Sequence, residues 1–193
     1  MTQATIPLSS RPIRFAALNS AHHRLALNIY MVIVLAHWAE HLAQAFQIWA
    51  LGMPRPKALG ALGMAFPWLI RSEWLHYGYA LVMIAGLILL RPGFVGRART
   101  WWTVALVIQF WHHIEHLLLL LQWQTGTFLF GATAPTSILQ LVVPRVELHL
   151  FYNSIVFIPM VIAVYLHLRP NASEAERMSC ACAGDRSAAP ANP

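Results

Sequence analysis

Acidic side chains are almost missing from the first 170 residues: only Glu40, Glu73, Glu115 and Glu147 occur there, and each has a histidine within three positions. Charge of either sign is scarce, at 10% of the chain, while 58% is hydrophobic and the mean hydropathy is +0.55. That balance excludes an ordinary soluble domain of 193 residues. Cysteine is confined to Cys180 and Cys182, in a polar stretch beyond the last apolar run, so no disulfide framework exists. The formal charge of +6 is scattered over short connections and termini rather than gathered into a stripe, which excludes a nucleic-acid partner. No glycine-rich phosphate loop or nucleophile elbow occurs, so nucleotide chemistry and serine hydrolysis have no foothold.

Long apolar runs are what the chain does have. Four of them, Leu25 to Leu51, Glu73 to Leu90, Trp101 to Trp123 and Val146 to Leu168, approach or exceed the ~20 residues that span a bilayer. The fold expected is an all-α, integral, multi-pass membrane protein: a four-helix bundle in a cell membrane of bacterial type. Residues 1–24 read as a basic amino-terminal arm without the compact apolar core of a cleavable signal, residues 25–170 as the membrane domain, and residues 171–193 as a disordered tail. With both termini in the cytoplasm, nine arginines lie on that side against three arginines and one lysine on the other, which favours this orientation. It also places the sequon Asn171-Ala172-Ser173 away from the glycosylation machinery.

The halves repeat each other. His37, Glu40 and His41 form H-x-x-E-H in the first span, and His112, Glu115 and His116 form it again in the third. The second span opens Arg71-Ser72-Glu73 with His76 and closes Leu90-Arg91-Pro92. The fourth opens Arg145-Val146-Glu147 with His149 and closes Leu168-Arg169-Pro170. Two tandem hairpins, about 25–92 and 101–170, are expected to be related by a pseudo-twofold axis along the membrane normal.

Carboxylates inside a bilayer cost about 3 kcal/mol each, so four of them need compensation, and a bound metal supplies it for clustered glutamates and imidazoles. Helical spacing places His37, Glu40 and His41 on one face, as it does His112, Glu115 and His116, and Glu73 with His76. At 1.5 Å rise per residue these three sets converge in the outer half of the membrane, while Glu147 and His149 come out higher and do not share a helical face. All ten residues, His37, Glu40, His41, Glu73, His76, His112, Glu115, His116, Glu147 and His149, are the expected metal ligands. Ten are too many for one ion, so two transition-metal ions are expected; iron fits the mixed donor set best, with zinc or copper as alternatives. Glu73 and His76 have the E-x-x-H spacing of soluble di-iron bundles. Arg71 and Arg145 read as interface anchors able to pair with site carboxylates, and His113 as a packing or supporting residue. The apolar connections 52–70 and 124–144 could roof the site or admit a lipid-like substrate.

His37 with His41, and His112 and His113 with His116, resemble the histidine boxes of membrane fatty-acid desaturases and hydroxylases. That resemblance implies a di-iron centre that activates oxygen. The leading expectation is a metal-dependent membrane oxidoreductase acting on a lipid, quinol or isoprenoid with an electron donor. Glu40 and Glu115 are its candidate catalytic carboxylates, a glutamate not fully engaged by metal serving as proton acceptor. A zinc hydrolase is a variant of it. The alternatives are a metal or proton transporter, for which four spans imply a homo-oligomer, and a haem electron-transfer protein with facing histidines as axial ligands.

Overall fold

The computed structural model describes residues 16–180 and 182. Most of the expected basic arm and the end of the expected tail lie outside them. Among the described residues there are helices and connections but no strand. The elements are α1 (His23–Trp49), α2 (Gly60–Ala65), α3 (Pro67–Arg71), α4 (Trp74–Leu90), α5 (Gly96–Thr125), α6 (Arg145–Leu168) and α7 (Ala172–Ala175), with short 3-10 turns between them. Four of the helices, α1, α4 with its 3-10 extension to Gly93, α5 and α6, are long and apolar enough to cross a membrane.

Local chemistry sets their limits. Pro144 precedes the first residue of α6, where a missing N–H is harmless. The α5 helix stops at Gly126 in the left-handed conformation that favours glycine. The long helices pack α1 on α4, α4 on α5, α5 on α6 and α6 back on α1, an up-and-down ring with a short turn between α4 and α5 and longer connections, 50–73 and 126–144, at the other end.

Along its length the bundle has two unlike halves. At the end holding the start of α1 and the close of α4, residues such as Leu27, Val34, Leu87, Trp102, Val156 and Met160 form an apolar core. The Tyr30 hydroxyl donates to the Met83 carbonyl at 2.8 Å, and the Trp102 indole donates to Leu87 at 2.8 Å, so both polar tips are satisfied inside it. At the other end the interior is polar. The outward faces carry exposed apolar residues, among them Ile29, Val32, Val107, Phe110 and Ile158.

Residues 171–180, expected to be disordered, are instead folded back on the bundle. Asn171, the sequon residue, caps α7 by accepting from the Glu174 amide at 2.9 Å, and Glu174 accepts from the Asn171 amide in return. The same Glu174 carboxylate takes the Arg97 backbone amide and guanidinium at 2.9 Å to 3.1 Å. Composition suggested disorder because it averages over the segment; a capping box and a buried carboxylate paired with an exposed arginine override it.

Candidate metal centre

Six histidines meet in the polar half, contributed by all four long helices: His37 and His41 by α1, His76 by α4, His112 and His116 by α5, His149 by α6. All are buried. Ring centroids lie 4.6 Å apart for His37 and His41, 5.1 Å for His41 and His149, 6.0 Å for His76 and His116, and 5.1 Å for His116 and His149. The Nε2 atoms of His112 and His116 face each other at 3.1 Å. Two imidazole nitrogens bound to one tetrahedral ion by bonds of about 2.0–2.1 Å would sit about 3.3 Å apart. His112, His116 and His149 each offer a ligand atom within 4.8 Å of the others, and this buried group could hold a metal ion. A cavity of about 10 Å³ is lined by these three residues with Glu115, Leu119, Ser137 and Leu148. That is the room one small particle needs.

Hydrogen bonding makes the same point. Apart from His76 Nδ1, which lies 3.4 Å from Glu73 Oε2, five buried ring nitrogens of the cluster, His37 Nδ1, His41 Nε2, His112 Nδ1, His116 Nδ1 and His149 Nε2, have no hydrogen-bonding partner among the described residues. Buried unpartnered polar atoms cost about 1–3 kcal/mol each, so five at one spot rival the net stability of a domain, about 5–15 kcal/mol.

The four glutamates are not gathered into one ring. Glu40 accepts the backbone amides of Ala61, Leu62 and Gly63 at 2.9 Å to 3.3 Å, so the start of α2 is folded down onto the side of α1. Gly60 makes this approach possible: its φ is +75°, and a Cβ there would collide with the Glu40 carboxylate. Glu115 does the corresponding job more lightly, accepting the Leu139 amide at 3.2 Å with one oxygen while Oε2 lacks a partner. Glu73 sits in the left-handed region at φ +61°, a conformation that costs about 1–2 kcal/mol for a non-glycine. Both guanidinium amino groups of Arg145 donate to it, and His76 Nδ1 lies 3.4 Å from it. Glu147 stands apart, half-buried and paired with Arg55. The α6 helix is regular from Arg145, so His149 points into the cluster and Glu147 to its edge. His113 lies beside it, its ring 5.4 Å from Tyr77.

Four further residues belong to the surroundings. Gln47 clamps Gly60 through both backbone groups at 2.9 Å and 3.3 Å, and Gln122 clamps Leu129 and Thr136 at 2.9 Å to 3.2 Å. Tyr79 packs on His37 with ring centroids 4.5 Å apart, and Tyr152 on His112 at 4.1 Å. A signal for them was present: the motif extends to H-x-x-E-H-x5-Q, with Gln47 and Gln122 in the last place, and His76 and His149 each open H-x-x-Y. A second cavity, of about 210 Å³, is lined by His41, His76 and His149 on one side and by Arg55, Leu59, Ile70 and Arg145 among others on the other. Comparison with protein-family models, with curated proteins and with solved structures finds no match.

Proposed function

We propose that the chain is an integral membrane metalloprotein whose bundle holds two transition-metal ions, most suitably iron, and catalyses an oxidation of a small hydrophobic substrate such as a lipid, quinol or isoprenoid. The observation that carries this reading is the set of six buried imidazoles with five unpartnered nitrogens. Neutral imidazole suits iron, copper and zinc, and a metal bond would satisfy open nitrogens such as His41 Nε2 and His149 Nε2. His112, His116 and His149 would hold one ion, and their counterparts His37, His41 and His76 the other. The repeat supports this division, because each triad has its own tyrosine and its own glutamate and glutamine anchoring the following connection. The two hairpins are then copies about a pseudo-twofold axis, with the site between them.

Membrane insertion is supported by the apolar exterior and by the way the connections fold back. Non-helical backbone at membrane depth must have its amides satisfied by protein, and Glu40, Gln47, Glu115 and Gln122 satisfy them. The carboxylates are thereby reassigned. Glu40 and Glu73 build the walls, whereas Glu115, with one oxygen open beside the smaller cavity, is the better proton acceptor. The larger cavity, with mostly apolar walls interrupted by Arg55 and Arg145 and with three imidazoles in its lining, would admit the substrate under connection 52–71. Iron or copper would supply electron transfer and oxygen chemistry; zinc would restrict the site to hydrolysis. Imidazoles in mutual contact favour ions over a porphyrin, which needs a flat cleft between its axial rings.

Metal analysis and an optical spectrum of detergent-purified protein test this. About two irons per chain without a Soret band is the expected result. A chain that takes up no iron, or one whose iron content is undiminished by His116→Ala combined with His149→Ala, overturns it.

A further inference from the structure

A second group of ligating side chains lies at the opposite end of the bundle. His167, Cys180 and Cys182 each offer a ligand atom within 4.8 Å of the others, with Cys180 Sγ 3.4 Å from His167 Nε2. His167 is 18 residues along α6 from His149, about 27 Å at 1.5 Å per residue, so this group is separate from the histidine cluster. Both cysteines are free thiols, Cys180 buried and Cys182 partly exposed, which leaves a route for an ion from solvent.

Two further observations point to a ligand here. His23 is fully buried with neither ring nitrogen hydrogen-bonded, and its ring centroid is 5.2 Å from that of His167. The turn that delivers the cysteines is pinned as well: Glu174 holds Arg97, and Gly96 at φ +51° leaves no room for a Cβ beside the Glu174 carboxylate. The chain therefore folds back over α1, α5 and α6 to set two thiols against two buried imidazoles, away from any chemistry in the outer half.

We propose that His167, Cys180 and Cys182 bind a zinc(II) ion, and that His23, outside this group of three but with its ring beside that of His167, turns in to complete a tetrahedral set of two sulfurs and two nitrogens. Mixed thiolate and imidazole donors select zinc from the hard divalent ions, and a four-ligand closed set is the structural type of site. Binding converts both thiols to thiolates, and their two protons pass to solvent. On the basic-residue bias this end faces the cytoplasm, where thiols stay reduced and paired cysteines more often hold metal than form disulfides. The ion would staple the chain after α6 to the bundle.

Cobalt(II) titration of the reduced, chelator-treated full chain in detergent tests this, because only thiolate ligands give a sulfur-to-cobalt charge-transfer band in the near ultraviolet. The histidine cluster contains no sulfur, so its own metal occupancy does not affect this readout. The expected result is a band whose saturating intensity corresponds to two thiolates on one cobalt and that is abolished by excess zinc. Cys180→Ser with Cys182→Ser should remove it, and His167→Ala should weaken cobalt binding at least tenfold. Absence of the band from the wild-type chain with both thiols titrating as free overturns the proposal. So does a band unchanged by His167→Ala, which would mean that the C-x-C pair binds metal without the bundle.

Discussion

At the scale of single residues, the polar half of this bundle separates two jobs that look alike in sequence. The histidines leave nitrogens open to one another, whereas the carboxylates of Glu40 and Glu73 are already occupied by amides and a guanidinium. Their substitutions should therefore behave differently. His149→Ala should lose bound metal, yet the metal-free variant should be as stable as the metal-free parent or more so, because a buried unpartnered group is removed. Glu40→Ala should lower stability by about 2–4 kcal/mol even without metal, since it strands the amides of Ala61, Leu62 and Gly63. Thermal melts with metal analysis on the two variants check this; equal stability loss in both would mean that Glu40 acts as a ligand and not as an anchor.

At the scale of elements, the connections are held from below by side chains of the helices they join. Gln122 carries the second connection at Leu129 and Thr136, so Gln122→Ala should release it. Hydrogen exchange should accelerate over residues 127–143 by about tenfold or more, equivalent to about 1.4 kcal/mol, while amides in the interior of α5 keep their protection. The segment after α6 depends on Glu174, whose carboxyl is lowered from 4.5 to about 2 by the Arg97 guanidinium and by the backbone amides of Arg97 and Asn171. A carboxyl depressed in the folded state contributes stability that is present above its unfolded pKa and lost as pH falls through the folded value. The difference in melting temperature between the parent and Glu174→Gln should thus be constant near neutrality and shrink between about pH 4.5 and pH 2. A difference that persists below that window would assign the effect to packing alone.

For the whole molecule, the arrangement is an apolar exterior around a partly polar interior, with imidazoles at one end and thiols at the other. If the proposed orientation holds, with the thiol end inward, a cysteine in the connection at the opposite end is reachable from outside. Val142 is 79% exposed, so Val142→Cys should react with a membrane-impermeant reagent in intact cells. Cys180 and Cys182 of the parent should not react. Reaction of the parent protein, with no further label gained by the variant, would reverse the orientation.

The four long apolar helices, the start of the last one at Pro144, and the gathering of His37, His41, His76, His112, His116 and His149 at one depth were legible in the sequence. Helical period and hydropathy are local properties, and antiparallel spans have few ways to bring such residues to one depth. The partners of the glutamates were not legible. Whether Glu40 faces an ion or the amides of α2 depends on where a connection twenty residues later folds back, and only the packed bundle decides that. Glu147 and His149, two residues apart, could not both face inward; Arg55, 92 residues away, took the first, and the cluster took the second. The thiol group was beyond the sequence for the same reason. Nothing local relates His23, His167 and a C-x-C pair, and it is the pinning of Glu174 on Arg97 that closes the loop between them.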